Sequence, residues 1–275
     1  MPELPEVETT RRGLEPLLRE RRILHLEVRD ARLRWPVPAD LPARIAGATV
    51  RSLRRRAKYL LLDTDATGLL LHLGMSGSLR HCAPDTPLRR HDHLHLMLDS
   101  GSEIRLHDPR RFGCCLPLDP APDGGPASHP LLEGLGPEPL DADMDGDYLF
   151  RRSRGRRGPV KAFLMDQATV VGVGNIYATE ALFLAGIRPG RAAGRVTRAE
   201  YRRLAGHVKA VLAAAIERGG TTLRDFLRED GSHGYFRQEL QVYGRAGEPC
   251  RVCGTPIRTR SVGQRASAYC PSCQR

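Results

Sequence analysis

Residues 250–273 read CRVCGTPIRTRSVGQRASAYCPSC, and the spacing of their cysteines decides how the C-terminal end of the chain folds. Cys250 and Cys253 make one C-x2-C pair, Cys270 and Cys273 make a second, and sixteen residues lie between them. That separation matches a four-cysteine zinc site in which each pair wraps one edge of the metal and the intervening stretch forms a hairpin. Four thiolates close the tetrahedron and leave no position for a substrate, so the one Zn2+ expected here is structural. Its binding free energy, on the order of 10 kcal/mol, is what folds so short a segment. A pair of redox-active dithiols is the alternative, but no βαβ pattern surrounds the cysteines. The hairpin carries Arg251, Arg258, Arg260 and Arg265 and no acidic residue, a composition suited to a phosphate backbone.

Working outward, the chain has 275 residues, 43 Lys+Arg against 32 Asp+Glu, and a formal charge of +11. A polyanion is the first partner to consider. No apolar run approaches the roughly 18 residues of a membrane span, and the glutamates and prolines of the opening MPELPEVETT do not read as a secretory signal. The expectation is a cytoplasmic, monomeric protein with no membrane partner. In that setting a disulfide framework is not expected, and Cys82, Cys114 and Cys115 read as buried thiols.

Along the chain, Pro5, Glu6 and Glu8 suit a helix start, with Val7, Leu14, Leu17 and Leu18 on one face. Gly13 and Pro16 predict that this helix is short or bent. From Leu24 the pattern alternates, with Leu24, Leu26 and Val28 set against His25, Glu27 and Arg29. Strand-like stretches follow at ATVRSL, KYLLLDT and GLLLHLG, and HLHLMLDSGSEIRLHD reads as a hairpin turning at Asp99–Gly101. Residues 117–147, rich in Pro, Gly and Asp, read as a connection between domains. Beyond it, Thr197 and Glu200 form a capping box. Leu204, Val208, Val211, Leu212, Ala215 and Ile216 share one helical face, which Gly219 and Gly220 end. The fold class is α+β: an antiparallel β-sandwich or barrel, then a helical domain, then the zinc hairpin.

Several segments have the residue types that chemistry needs. Lys58 stands at the mouth of an apolar strand, where a solvated strand end is the commoner reading. Met75 lies in a loop between glycines, and Arg110 and Phe112 lie in a turn; tips of this kind fill gaps in a base stack. Gly172 and Gly174 before Asn175 offer exposed amides and a side chain at a helix N-terminus, suited to a phosphate. His91, His93 and His95 alternate and so could share a face as metal ligands, although strand histidines are commonly structural. The opening Pro2 is either part of a frayed tail or, once Met1 is lost, a secondary amine.

Together PELPEVE, AKYLL, HLGMSGSL, DPRRFG, VGVGNIYATEAL, TTLRDFL, QELQVYGR and GQRASAYCPSCQ resemble the formamidopyrimidine-DNA glycosylase family, bacterial enzymes that excise oxidised purines. The resemblance covers essentially the whole chain, in order. It implies a β-sandwich catalytic domain over residues 2–130, a helix-two-turns-helix DNA-binding domain over 131–240 and a zinc finger over 241–275. It also implies a bifunctional glycosylase and abasic-site lyase of base excision repair, acting on 8-oxoguanine and formamidopyrimidines in duplex DNA. On that resemblance Pro2 is the nucleophile that forms a Schiff base, and Glu3 the acid for opening the sugar ring. Lys58 serves β-elimination and phosphate contact, and Arg265 δ-elimination. His91, Arg110, Arg156 (within the basic run 151–157) and Asn175 contact DNA. Met75, Arg110 and Phe112 fill the hole left by the extruded nucleotide. The segment REDGSHGYF, with His233, corresponds to a loop over the flipped base.

Three rival readings differ in what they leave unexplained. A non-catalytic zinc-ribbon DNA-binding protein accounts for the charge and the cysteines but not for Pro2–Glu3. The sister enzyme for oxidised pyrimidines shares the proline chemistry, but DPRRFG and LPEVE favour the purine enzyme. A carboxylate-pair hydrolase using Glu3 and Glu6 gives the zinc hairpin no role.

Overall fold

Strands β2 (Val50–Arg56), β3 (Tyr59–Thr64), β4 (Gly68–His72) and β8 (Cys114–Leu118) pair antiparallel in that order. A second sheet has the order β1 (Ile23–Val28), β6 (Asp92–Leu98), β7 (Glu103–His107) and β5 (Ser78–Cys82). The computed structural model describes residues 2–120, 127–220 and 240–275. These fall into two units, residues 2–133 with 219–220, and residues 134–218 with 240–275. The loop reading of REDGSHGYF and His233, and the TTLRDFL run, lie outside the described residues.

The two sheets share one core. Leu26, Leu94, Leu96 and Leu106 from one sheet meet Leu53, Leu60, Leu62, Leu69 and Leu71 from the other, and Val7, Leu14 and Leu18 of helix α1 (Leu4–Leu18) close it with Leu41 and Ile45 of the short helix α2 (Leu41–Ile45). The second face of β3 and β4 is also covered. Leu61 and Leu70 pack with Cys114 and Leu118 on a separate cluster that includes Trp35, Leu131 and Leu132. Burial on both faces is why YLLLDT and GLLLH read as unbroken apolar runs rather than as alternation.

Four sequence expectations need correction. Strand β1 does not alternate: its register shifts between Ile23 and His25, so Ile23 and Leu26 face the core while Leu24 is 55% exposed. A bulge places two residues against one partner, and simple parity fails there. Helix α1 runs fifteen residues, through Gly13 and Pro16. Pro16 is exposed, so the backbone bond it omits lies on the solvent side. Leu17 is exposed as well and is not part of the buried face. The stretch 117–147 is shorter as a connection than it read, since β8 reaches Leu118 and helix α3 (Gly146–Ser153) begins at Gly146.

The other unit is built on α3, α4 (Val160–Met165), α5 (Asn175–Leu184) and α6 (Arg198–Glu217). The Thr197/Glu200 capping box forms at the start of α6, and its six expected core residues are all buried. Gly219 and Gly220 follow it with φ of +74° and +81°, left-handed values that glycine adopts without strain. Strands β9 (Arg258–Val262) and β10 (Arg265–Tyr269) form the expected hairpin between the cysteine pairs. The Glu180 carboxylate on α5 anchors the approach to that hairpin by accepting from the N–H groups of Gln241, Val242 and Tyr243 at 2.7, 3.0 and 2.8 Å.

Candidate active site and nucleic-acid interface

Pro2 and Glu3 are buried, which removes the frayed-tail reading. Glu3 is the N-cap of α1, and its N–H donates to Glu6 Oε2 at 2.8 Å. Glu6 is wholly buried, and a Cβ at Gly220 would lie 3.2 Å from its Cγ and Oε1, so only a glycine backbone fits there easily. The positive end of the α1 dipole is therefore directed at Pro2 and Glu3.

Lys58 occupies the two-residue turn between β2 and β3, after Ala57 with φ +55°. It is 7% exposed, so the solvated strand-end reading is wrong. Its charge acts on His72, across the Tyr59–His72 strand pair. Burial, reinforced by Lys58 and then Arg34, pushes the His72 imidazole down to about 4. Neutral His72 accepts the Gly74 N–H on Nδ1 at 2.9 Å, which sets the entry to the Met75 loop.

Met75 is half-buried in the β4–β5 connection, while Arg110 and Phe112 are exposed in the β7–β8 connection, with the Arg110 guanidinium 4.9 Å over the Phe112 ring. These are the loop positions expected from sequence. Both connections pass from one sheet to the other. His91 precedes β6 and meets the rings of His93 and His107 edge-on at 6.0 and 5.9 Å. His95 faces different partners, 3.5 Å from Glu27 and Glu103. The three alternate histidines are thus not a metal cluster; among the described residues the only such group is the four cysteines.

In the second unit, Asn175 opens α5 with Gly174 as its N-cap. Gly172 and Gly174 are buried rather than exposed, a correction to the sequence reading, and the Gly172 N–H donates to Gln167 Oε1 at 3.0 Å. What remains presented is the Asn175 side chain. Its Oδ1 accepts from the Lys161 ammonium at 2.6 Å. The same ammonium donates to Ser267 Oγ at 2.7 Å and Ala266 O at 3.3 Å, next to Arg265 on β10. Arg251, Arg258, Arg260 and Arg265 are all exposed on the hairpin, and Arg156 is exposed beyond α3.

The four cysteine Sγ atoms lie within 4.8 Å of one another, with separations of 3.4, 3.5 and 4.0 Å among them. Tetrahedral Zn–S bonds of about 2.3 Å require sulfur separations near ~3.8 Å, so the set fits zinc. Gln274, wholly buried, ties this knuckle to the chain after α5: its Oε1 accepts from Cys270 N–H at 2.9 Å and its Nε2 donates to Ile187 O at 2.8 Å.

Sequence reasoning missed His72, Asp108 and Lys161. Each is tied to a residue it did single out. For Lys161 a signal existed, a lysine inside the apolar run VKAFLM, and the ion-paired or hydrogen-bonded burial of such a residue is the rule.

Comparison with known proteins follows the same partition. The chain matches the formamidopyrimidine-DNA glycosylase N-terminal domain over residues 1–115 and the corresponding helix-two-turns-helix domain over 135–227. Residues 247–275 match the zinc finger found in these enzymes and in isoleucyl-tRNA synthetases. It is 61% identical over 276 residues to the formamidopyrimidine-DNA glycosylase of Thioalkalivibrio sulfidiphilus, and 58% identical over 275 residues to that of Methylococcus capsulatus, with both chains of each pair fully covered. Among solved structures it resembles a Lactococcus lactis glycosylase variant in complex with DNA containing a formamidopyrimidine, with TM-score 0.90, 32% identity and full coverage of both chains. The Thermus thermophilus enzyme gives 0.87 and 40%, with 99% of this chain and 98% of that one covered.

Proposed function

The chain belongs to the formamidopyrimidine-DNA glycosylase family, and from that premise we propose that Pro2 is the nucleophile with which it removes damaged bases. It is a DNA glycosylase of base excision repair acting on oxidised purines in duplex DNA, with one structural zinc. The abasic-site lyase activity typical of the family accompanies it. Once Met1 is lost, the Pro2 nitrogen attacks C1′ of the damaged nucleotide. The N–C1′ bond forms as the bond to the base breaks, and Glu3 supplies the proton that opens the sugar ring. A secondary amine gives an iminium that has no N–H proton to lose, so it cannot relax to a neutral imine. That electron sink acidifies the neighbouring sugar proton, and elimination breaks the strand. Lys58 assists β-elimination and Arg265 δ-elimination.

His91, Arg110, Arg156 and Asn175 hold the DNA backbone, and Met75, Arg110 and Phe112 occupy the vacated stack. The working divisions are a catalytic sandwich over 2–130, a DNA-binding domain over 131–240 and a zinc finger over 241–275. The protein acts as a cytoplasmic monomer. Among the described residues no helix is long and apolar enough to cross a membrane.

The observation that carries the reading of Pro2 is its burial beside Glu3 at the N-terminus of α1, where a terminal tail would be free. Borohydride reduction on a duplex with one 8-oxoguanine tests it. Peptide mapping of the trapped adduct should find the sugar on the Pro2 nitrogen. Attachment to Lys58 with Pro2 unmodified would overturn it. A form retaining Met1 should bind zinc and DNA yet give no adduct.

A further inference from the structure

Asp108 lies at the start of the β7–β8 connection and is wholly buried. Its Oδ2 accepts the Gly113 N–H at 2.8 Å, and its Oδ1 accepts from Ser76 Oγ at 3.4 Å. Its backbone is equally committed. The carbonyl accepts from His93 Nε2 at 2.9 Å, which fixes that ring's proton on Nε2, and from the Arg111 N–H at 3.2 Å. The Asp108 N–H donates to His91 O at 3.0 Å.

Four of these partners have something in common. Ser76 follows Met75, Arg111 follows Arg110, Gly113 follows Phe112, and His91 is itself a proposed DNA contact. The two connections are also in backbone contact, since a Cβ at Gly74 (φ +62°) would fall 2.4 Å from Phe112 C. A Cβ at Gly113 would fall 2.6 Å from His72 O and 3.1 Å from Asp108 Oδ2. Displacing either loop breaks a hydrogen bond to Asp108 or opens the close backbone packing between the two.

We propose that Asp108 is a positioning residue that clasps the two loops and His91 into one preassembled element, so that Met75, Arg110 and Phe112 enter the base stack together. This rests on the proposed hole-filling role of those three side chains. An element held in register needs no ordering at the moment the base leaves, and the gain is realised in the step that extrudes the nucleotide. An abasic site has no base to unstack, so its cleavage depends on the clasp much less.

Single-turnover excision by the full-length zinc-loaded enzyme tests this, using a paired 8-oxoguanine duplex and, in parallel, an abasic duplex. Asp108→Ala should slow excision on the order of tenfold or more, with at least a several-fold smaller effect on abasic cleavage. Asp108→Asn should recover most of the loss, because its Oδ1 still accepts from Gly113 while its NH2 donates to Ser76 Oγ, a hydroxyl that also accepts. Ser76→Ala, which removes one arm only, should show a smaller effect with the same preference for the paired substrate, and it serves if Asp108→Ala does not fold. Equal losses on both substrates, or no recovery in Asp108→Asn, would overturn the proposal. Phe112→Ala, run alongside, separates the two ideas. Slowing in Phe112→Ala with parental rates in Asp108→Ala and Ser76→Ala sinks the clasp alone, whereas parental excision by Phe112→Ala sinks the hole-filling role on which it rests.

Discussion

Lys161 Nζ lies 2.6 Å from the side-chain oxygen of Asn175, and an ammonium has only protons to give. The amide of Asn175 is therefore oriented with its oxygen inward, and its NH2 is left as the donor for an external acceptor such as a phosphate. The Lys161 ammonium also donates to Ser267 Oγ and Ala266 O. Lys161→Met retains the volume of the stem but strands those acceptors in a buried site. The expected loss is about 2–4 kcal/mol of stability. DNA affinity should fall further than stability alone explains, because Asn175 is then able to turn. Thermal denaturation together with binding to an abasic-site analogue duplex checks both, and unchanged affinity in a folded variant would refute the orienting role.

Removing zinc should act on the C-terminal segment selectively. Cys253→Ser leaves three thiolates and should lose the metal, whose binding is worth on the order of 10 kcal/mol. The Gln274 link from Cys270 to Ile187 should loosen with it. The two four-stranded sheets have their own core and should remain folded. Metal analysis and hydrogen exchange of the variant check this. Protection lost in β3 and β6 as well as in β9 and β10 would contradict it.

The elements most legible in the sequence are those whose signal is local. The cysteine spacing, the Thr197–Glu200 cap and the hairpin turn at 99–101 each specify structure within a few residues, and each formed as read. Leu24 misled because a register shift is a property of two strands, not of one. Asp108 and Lys161 were illegible for a related reason. Asp108 meets Ser76 from 32 residues away, and Lys161 meets Ser267 from 106. Neither pairing leaves a periodic trace. Pro2 and Lys58 stand out by residue type, but their roles, and that of Glu3, come only through the family's motifs, since a buried strand-end lysine and a solvated one look alike in a single sequence.

Arg265 begins β10 with its side chain exposed and its carbonyl accepting from Ser267 Oγ at 3.1 Å. A fixed backbone with an exposed guanidinium is the arrangement for a phosphate contact. Log affinity for duplex DNA should fall linearly with log salt, by about 0.9 per phosphate neutralised, and Arg265→Ala should reduce that slope by roughly one. Filter binding or fluorescence anisotropy over a salt series measures it. A parental slope in Arg265→Ala would remove this residue from the backbone contacts.

The neutral state of His72 makes a prediction about pH. Burial, with Lys58 and Arg34 adding repulsion, holds the folded value at about 4, while an unfolded histidine titrates near ~6.5. Between these values the unfolded chain binds a proton that the folded chain refuses, so stability rises with pH across the window. The contribution is complete above about pH 6.5 and is lost as pH falls toward 4, to at most ~3 kcal/mol at 1.36 kcal/mol per unit. Protonation of Nδ1 also ends its bond from the Gly74 N–H and frees the Met75 loop. His72→Asn offers an uncharged acceptor to the same amide and has nothing to titrate. Its unfolding free energy, measured by urea denaturation from pH 7 to 4.5, should fall less steeply than that of the parent, with the difference growing below pH 6. Other histidines contribute equally to both proteins and cancel in the comparison. Parallel curves would show that His72 is not held neutral, and the loop would then lack this acid-sensitive anchor.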